Sequence, residues 1–386
     1  MPAQTWNLID AERDLRDNSF RLEPSDVGSA PDSFSVRMRT LAGGLRTGVD
    51  VIEINNGSFR FTVVPTRGMG IWKGWLGDLE LGWNSPVRGP VHPNFVAIDE
   101  PSGLGWLDGF DELLVRCGLE NNGAPDFDAT TNRLSMPLHG RIANKPASTV
   151  SITIEDDEIT INGTVEESRF HFTKLRLHTS IKTKFNEPGL RIRDDVENFS
   201  AGDQEMQMLY HVNFGHPLLG AGAEAVVPID TLVPRNDWAA SGVGHWSTYT
   251  EPTVGMEERV YFFTLLGDTA GDSLALLKGA GGSRGVSLDF NIKQLPCFSL
   301  WKNETALSDG YVTGIEPGTN YPNPRSFEGE HGRVVKIAPG EKHSMEIGLH
   351  AHTTSDEVAD VENRISKLQE QKAPTIHETP QPNWCA

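Results

Sequence analysis

Apolar residues recur at every second position in many short segments between residues 34 and 351. Side chains of a β-strand point alternately to its two faces, so this pattern predicts strands with one buried face. The Asn-Asn-Gly sequence at 55–57 separates two such segments and is typical of a hairpin turn. Further alternating segments span 150–161, 175–196 and 345–351. The number and close spacing of these strands predict an all-β fold of the sandwich class.

Two parts of the chain depart from this pattern. Residues 84–137 are rich in Pro, Gly, Trp and Asp, so we expect a long irregular segment with a functional role. Four apolar residues at helical spacing predict a short amphipathic helix over 355–371. Residues 373–386 contain three prolines and are expected to lie along the surface or to be mobile. We therefore expect one β-sandwich domain over 1–354, N-terminal segment included, followed by a helix and tail over 355–386.

Composition restricts the partners and the location of the protein. The chain has 386 residues and a formal net charge of −19, which argues against nucleic acid or an anionic membrane surface as a partner. No apolar stretch approaches the ~20 residues that span a bilayer. Residues 1–20 lack the apolar region of a signal peptide, and the three cysteines form no close pair. These features favour a cytoplasmic protein, and they leave the oligomeric state open.

Two polar clusters provide candidate catalytic residues. Glu316 lies in Gly-Ile-Glu-Pro-Gly at 314–318, at the end of a run of predicted strands. His211 and Asn213 lie about a hundred residues earlier, in Tyr-His-Val-Asn-Phe. A carboxylate and a histidine at the ends of two strands suit proton transfer to and from a polar substrate, and histidine retains a protonated fraction near neutral pH. The alternatives are a buried histidine satisfied by the backbone and an ordinary solvated carboxylate.

Two further candidates are weaker. Arg67 begins the turn Arg-Gly-Met-Gly, whose glycines allow a ligand to approach the backbone. Asn122, in Glu-Asn-Asn-Gly, offers an amide that suits hydroxyl recognition. His350 and His352 share one strand face but have no third ligand nearby in the sequence, so no metal site is predicted.

The order and setting of these clusters resemble those of the aldose 1-epimerases, the galactose mutarotases. The wider pattern is most similar to the DUF4432-type bacterial branch of that superfamily. The resemblance extends over roughly residues 45–350 and rests on the motifs around His211 and Glu316 and on the triplet Leu-His-Gly at 138–140. It implies a β-supersandwich of the galactose mutarotase-like type.

The resemblance also implies a mechanism. In that family the histidine that corresponds to His211 is the general acid, and the glutamate that corresponds to Glu316 is the base that opens the sugar ring. His139 is expected to bind the sugar near its ring oxygen. Asn213 belongs to the same motif as His211, and Trp301 and Lys302 lie where the family places substrate-lining residues. Arg67, Asn122 and Arg141 are further candidates for substrate binding on their own chemistry. No metal or organic cofactor is needed for this chemistry.

Arg141 departs from the family pattern, which continues with a second glycine after Leu-His-Gly. A guanidinium offers a two-pronged donor to a carboxylate, sulfonate or phosphate group, so a sugar with an anionic substituent is one expectation. The alternative is a structural ion pair.

The sequence therefore predicts an aldose 1-epimerase-like isomerase that interconverts sugar anomers by acid–base ring opening. A sugar-binding protein without this activity, or a lyase or epimerase that acts on an oxidised or acidic sugar, is the alternative on the same fold. A structural or protein-interaction role is a third possibility.

Overall fold

The computed structural model describes residues 3–386 and is built largely from antiparallel strands. The elements up to residue 200 are β1 Gln4–Asp10, β2 Leu15–Arg16, β3 Arg21–Leu22, β4 Ser35–Thr40, β5 Asp50–Asn55, β6 Phe59–Val64, β7 Gly70–Leu76, β8 Leu79–Leu81, β9 Leu114–Leu119, β10 Asp126–Phe127, β11 Leu134–Met136, β12 Ala147–Glu155, β13 Glu158–Ser168, β14 Lys174–Lys184 and β15 Gly189–Asn198. The later elements are β16 Gln204–Gly215, β17 Glu224–Val226, β18 Ile229–Pro234, α1 Asp237–Ala240, β19 Arg259–Leu265, β20 Asp272–Lys278, β21 Gly285–Asn291, β22 Cys297–Asn303, β23 Val312–Gly318, α2 Arg325–Glu330, β24 Val335–Ile337, β25 Lys342–His352, α3 Ser355–Gln369 and β26 Thr375–Ile376.

Two large sheets organise these strands. Sheet I has ten strands in the order β17-β20-β21-β25-β15-β14-β13-β12-β1-β2. Sheet II has fourteen strands in the order β26-β18-β19-β22-β23-β16-β9-β7-β6-β5-β4-β3, with β24 beside β16 and β8 beside β7. β10 and β11 form a separate ribbon. The central strands of sheet II, from β22 to β9, carry the candidate catalytic residues.

The main core lies between the two sheets. It joins residues such as Ile152 and Leu177 of sheet I to Phe61 and Leu300 of sheet II, all of them at most 1% exposed. Full burial of an aliphatic or aromatic side chain of this size stabilises the fold by ~1.5–3 kcal/mol. Because each sheet packs one face against this core, the alternation in the sequence marks the inward positions.

A buried ion pair crosses the core and joins sheet II to sheet I. The Arg116 guanidinium on β9 lies 2.5 Å from the Asp194 carboxylate on β15, and both side chains are completely enclosed. Tyr210 on β16 also donates its hydroxyl proton to Asp194. Loss of one partner from such a pair costs ~3–5 kcal/mol, because it leaves a buried charge uncompensated. The cluster therefore ties β9 and β16 of sheet II to sheet I at the residues next to Cys117 and His211.

The all-β prediction and the C-terminal helix are confirmed. β5 and β6 flank the turn at 55–57, and β12 and β13 flank residues 156–157. The helix α3 begins at the capping box formed by Thr354 and Glu357. Its buried face packs Val358, Val361 and Ile365 against Leu274 and Leu276 of β20.

The expectation that residues 84–137 are irregular was wrong in part. Residues 84–137 include β9, which occupies the middle of sheet II between β16 and β7. The tail after α3 adds β26 in parallel to β18, and the Trp384 ring stacks on Tyr321 at 4.9 Å between ring centres. The tail therefore lies along the surface of sheet II, the first of the two alternatives expected for it.

Within residues 3–386, no helix is long and apolar enough to cross a membrane.

Candidate active site

Strand register brings the candidate residues to one face of sheet II. Glu316 on β23 lies opposite Ser299 on β22, and Gly314 lies opposite both Trp301 on β22 and Asn213 on β16. Directly opposed residues in an antiparallel pair project from the same face. His211, two positions before Asn213, shares that face, which we call the site face. The opposite face of sheet II is the core face.

His211 and Glu316 form the centre of the site. The Nε2 atom of His211 lies 3.1 Å from Glu316 Oε1, and the residues are only 4% and 2% exposed. The contact lacks hydrogen-bond geometry, and Oε1 has no hydrogen-bond partner elsewhere in residues 3–386. Gly314 makes room for this contact, because a Cβ atom there would lie 2.2 Å from Glu316 Oε1. A buried acid and a buried base are thus held within proton-transfer distance.

Asn213 fixes the proton on the far side of the His211 ring. Its Oδ1 atom lies 2.6 Å from His211 Nδ1, while its Nδ2 donates to the carbonyl oxygens of Glu112 and His211. Two carbonyl acceptors require the amide nitrogen on their side, so Oδ1 must face the ring. His211 therefore carries a proton on Nδ1 and presents Nε2 to Glu316. Asn213, expected to bind substrate, acts here as a positioning residue.

His139 reaches the same place from a tight turn. Its ring centre lies 5.4 Å from that of His211, and its Nδ1 lies 2.8 Å from the Asn122 carbonyl oxygen. A carbonyl only accepts, so Nδ1 is protonated and Nε2 is free to accept a hydrogen bond. Gly140 is required at this turn, because a Cβ atom would lie 2.1 Å from the Asn121 carbonyl oxygen. The close approach of the Asn121 carbonyl therefore explains why glycine follows histidine in the Leu-His-Gly motif.

Burial sets the protonation of these groups. It raises the pKa of Glu316 well above the usual value, and the carboxylate of Glu258 raises it further. Burial lowers the pKa of His211 well below its usual value, and His139 adds to this effect. The pKa of His139 falls to about 4, also through burial. Burial therefore favours a protonated Glu316 and two neutral histidines in the unliganded site.

Aromatic side chains that the sequence did not single out enclose the pair. Trp106 and Phe110 come from the segment before β9, and their ring centres lie 6.1 and 5.1 Å from that of His211. Trp301, predicted to line the substrate, lies 5.4 Å from the His211 ring and is partly exposed. Its Nε1 donates to Glu258, which also forms an ion pair with Arg235. The aromatic walls of the site are apolar, and the ring of Trp301 is more exposed than those of Trp106 and Phe110.

Arg67 contacts residues that support the site and does not contact His211 or Glu316. Its side chain is completely enclosed, and its Nε lies 2.5 Å from the Glu112 carboxylate. The other guanidinium nitrogens donate to Asn144 and to the carbonyl oxygens of Val91 and Gly109. Since the Glu112 carbonyl holds Asn213, Arg67 positions the residue that orients His211. The expectation that Arg67 contacts the substrate does not agree with this enclosure.

Asn122 is likewise occupied by the protein. Its side-chain amide forms two reciprocal hydrogen bonds with the amide of Asn320, at 2.9 and 2.8 Å. Its backbone carbonyl holds His139, as described above. Asn122 therefore positions His139, and its amide is not free for a sugar hydroxyl.

Lys302 lies on the wrong face for substrate binding. It is opposite Thr313, so the pleat directs it to the core face, while its neighbour Trp301 lies on the site face. Its ammonium group is 3.4 Å from the Glu304 carboxylate and donates to the Thr248 carbonyl oxygen. The structure therefore does not bring Lys302 together with His211 and Glu316, because adjacent residues of a strand point in opposite directions.

Arg141 has carboxylate partners within the protein. Its guanidinium lies 2.5 Å from Asp99 and 3.6 Å from Glu120. The side chain is 15% exposed, and both partners belong to the segment that surrounds β9. This arrangement agrees with the structural ion pair that was the alternative to an anion-binding role.

Asp111 is a buried carboxyl in the layer that supports the site, next to Glu112. Trp72 donates to its Oδ2, and its Oδ1 has no hydrogen-bond partner in residues 3–386. Burial, together with the Glu112 carboxylate, raises its pKa to about 7, against the opposing effects of Arg67 and Lys73. The unfolded chain releases this proton near the usual pKa, whereas the folded protein keeps it to about pH 7. The free energy of unfolding therefore falls as pH rises between these values.

We expect Asp111→Asn to remove this pH dependence. At pH 8 the variant should be more stable than the parent by up to ~4 kcal/mol, because it has no buried charge to form. At pH 5 this advantage should shrink to ~1–2 kcal/mol, because the folded parent still holds the proton there. Chemical denaturation at both pH values measures the difference, and a difference that is the same at pH 5 and pH 8 contradicts the assignment.

Within the described part of the chain, no group of three His, Cys, Asp or Glu side chains is placed to hold a metal ion.

A protein-family model matches residues 46–351, and its description is a domain of unknown function, DUF4432. The chain belongs to the DUF4432 family. This result confirms the family resemblance predicted from the motifs around His139, His211 and Glu316. No curated protein sequence matches this DUF4432 protein.

Solved structures show the same fold. The DUF4432 protein is similar to a "putative aldose 1-epimerase" from Klebsiella pneumoniae, with 34% identity, a TM-score of 0.94, and coverage of 98% of this chain and 99% of that one. A galactose mutarotase-like protein from Clostridium acetobutylicum is 14% identical, with a TM-score of 0.57 over 83% of this chain and 98% of that one. A "putative aldose 1-epimerase" from Escherichia coli K12 is 13% identical, with a TM-score of 0.52 over 79% and 100%. The last two matches show the galactose mutarotase-like fold.

Proposed function

We propose that the protein interconverts the anomers of a small neutral sugar by acid–base ring opening. The observation that carries the proposal is the contact of 3.1 Å between His211 Nε2 and Glu316 Oε1 in an enclosed site. Anomer exchange requires a base for the anomeric hydroxyl proton and an acid for the ring oxygen. A neutral histidine and a protonated carboxyl at this distance carry one exchangeable proton and supply both functions.

The reaction needs the proton to lie on His211 at the start. Transfer from Glu316 to His211 Nε2 over the 3.1 Å contact produces a carboxylate and an imidazolium with no change in total charge. Glu316 then takes the anomeric hydroxyl proton while His211 protonates the ring oxygen, and the C1–O5 bond breaks. The open-chain sugar rotates about C1–C2 and closes by the reverse steps. After ring opening the pair is again neutral, which is the state that burial favours.

His139 and Trp301 suit the binding of a sugar beside this pair. The low pKa of His139 keeps its Nε2 unprotonated, so it accepts a hydrogen bond from a hydroxyl group. Trp301 offers a partly exposed aromatic wall, against which the C–H groups of a sugar ring can pack. Together they place one polar and one apolar surface around a ring-sized ligand.

The charges around the site favour a neutral substrate. The three cations that the sequence placed here are each bonded to a carboxylate: Arg67 to Glu112, Arg141 to Asp99 and Lys302 to Glu304. Arg235 is paired with Glu258. A lyase or epimerase for an acidic sugar would need a free cation to balance the substrate charge. The anionic-substrate alternative therefore loses the support that Arg141 gave it.

Exchange NMR with purified protein tests the proposal. Saturation transfer between the α and β anomers of glucose, galactose and xylose should show rates above the spontaneous rate measured without protein. Glucuronate and a sugar phosphate, measured in parallel, should show at most a small acceleration. Acceleration restricted to the acidic sugars contradicts the neutral-substrate assignment, and spontaneous rates for every sugar contradict the isomerase.

A further inference from the structure

Three enclosed polar atoms at the site have no hydrogen-bond partner in residues 3–386. They are Trp106 Nε1, Ser299 Oγ and Glu316 Oε1. Buried polar atoms are almost always paired in folded proteins, and each unpaired one destabilises the protein that carries it. Glu316 belongs to the proton-transfer pair already described. Trp106 and Ser299 have no role in that chemistry, so their unpaired atoms need a separate explanation.

Trp106 is held rigidly over the two histidines. It lies in the short 3-10 helix Gly105–Gly109, and its ring centre is 4.6 Å from that of His139 and 4.7 Å from that of Phe110. A Cβ atom on Gly105 would lie 1.9 Å from the Ala97 carbonyl oxygen, so the backbone of this turn is in close contact with its neighbour. The indole is 1% exposed. Its N–H is therefore fixed in place and can only donate.

Ser299 lies beside the carboxyl group on the same face. It is directly opposite Glu316 in the β22–β23 pair, where Cβ atoms are typically ~4.5–5.5 Å apart. The residue is 0% exposed, between the site-face residues Cys297 and Trp301 of the same strand. Its hydroxyl can donate or accept. Leu300, the next residue, points the other way and belongs to the main core. The Ser299 hydroxyl therefore projects from the site face.

Resting on the proposed function, we propose that Trp106 Nε1 and Ser299 Oγ are substrate-binding groups that select the hydroxyl pattern of the sugar. Trp106 donates a hydrogen bond to one sugar oxygen, and Ser299 binds a second hydroxyl next to the reacting carbon. Sites built to hydrogen-bond a hydroxyl discriminate strongly against analogues that lack it, because the protein group is then left unpaired. The two residues thus determine specificity, whereas His211 and Glu316 perform the proton transfers.

The test uses isosteric deletions and deoxy sugars. Trp106→Phe removes the N–H and keeps a smaller aromatic ring, and Ser299→Ala removes only the hydroxyl. Each variant should bind its best sugar roughly 3- to 10-fold more weakly than the parent, the loss expected for one uncharged hydrogen bond. The loss should disappear for the one deoxy sugar that lacks the bound hydroxyl. Calorimetry measures binding, and exchange NMR measures the rate on 2-, 3-, 4- and 6-deoxy sugars.

Trp246→Phe is the matched control for the indole. Trp246 packs against Phe263 on the core face, so the same chemical change there should leave the ranking of the sugars unchanged. Thermal denaturation provides an independent readout for Ser299→Ala, since removal of an unpaired buried hydroxyl should leave this variant at least as stable as the parent. Trp106→Phe also leaves a cavity, so its stability is compared with that of Trp246→Phe.

The outcomes separate this proposal from the proposed function. If both site variants bind and interconvert every sugar as the parent does, the two groups contact only water or nothing, and the specificity role is rejected. A loss that is equal for all deoxy sugars also rejects it, because it indicates a general effect on the site. If the parent itself neither binds nor interconverts any sugar of the panel, the isomerase assignment fails and this proposal fails with it.

Discussion

Glu316→Gln should lower the rate of anomer exchange by on the order of 10²–10⁴-fold and leave sugar binding nearly unchanged. The amide has the shape of the protonated carboxyl that burial favours in the unliganded site. It cannot take the anomeric proton or pass a proton to His211, so the reaction loses its base. Exchange NMR gives the rate, and calorimetry gives the dissociation constant for the same sugar.

The variant should also fold at least as stably as the parent. Glu316 is 2% exposed, and glutamine removes the cost of forming a charge there. Chemical denaturation therefore distinguishes a catalytic loss from unfolding. A folded Glu316→Gln protein that exchanges anomers at the parental rate would remove Glu316 from the mechanism.

Gly314→Ala should lower the exchange rate by on the order of 10²-fold although residue 314 carries no functional group. The new Cβ atom would lie 2.2 Å from Glu316 Oε1 and 3.1 Å from His211 Cε1, so the carboxyl group must move. A displacement of about 1 Å at a reacting group can cost this much in rate. The strand backbone accepts alanine, because Gly314 does not have a positive φ.

Gly202→Ala is the matched control for this change. Gly202 also lacks a positive φ, and a Cβ atom there meets nothing within 4 Å. We expect the control to retain the parental rate and the parental stability. If Gly314→Ala is folded and as active as the parent, the close contact between Glu316 and His211 is not needed for catalysis.

The sequence predicts those parts of the protein that follow from local periodicity and from short motifs. Strands such as β12–β15 each have one buried face, so their apolar residues alternate and can be recognised. His211, Glu316 and His139 lie in motifs with unusual neighbours. Two of those neighbours are Gly140 and Gly314. Glycine is needed at both positions, because a side chain there would collide with adjacent atoms.

Other features depend on contacts that the sequence does not encode locally. β9 is buried on both faces, so apolar and polar residues do not alternate along it. The periodicity of the sequence therefore does not reveal this strand within the irregular segment. Arg67 appeared suitable for a ligand because of its glycine-rich turn. Its partner Glu112 is 45 residues away, and nothing in the turn reveals that the two are paired.

Trp106 and Ser299 illustrate a different limit. Neither residue belongs to a motif, and both types are common in cores and strands. Their significance appears only when the structure shows unpaired polar atoms next to His139 and Glu316. The only available signal was that Trp106 lies in the tryptophan-rich segment expected to have a functional role.

Trp301 and Lys302 project from opposite faces of β22, and this restricts insertions and deletions in the strand. A single inserted or deleted residue early in β22 would exchange the two faces of the strand and direct an ammonium group toward Glu316. The same shift would place an indole beside Glu304 and leave that carboxylate without its cation. In this protein an added or removed residue that no β-bulge absorbs would therefore disrupt both the site and a buried ion pair, whereas a substitution in β22 affects one position.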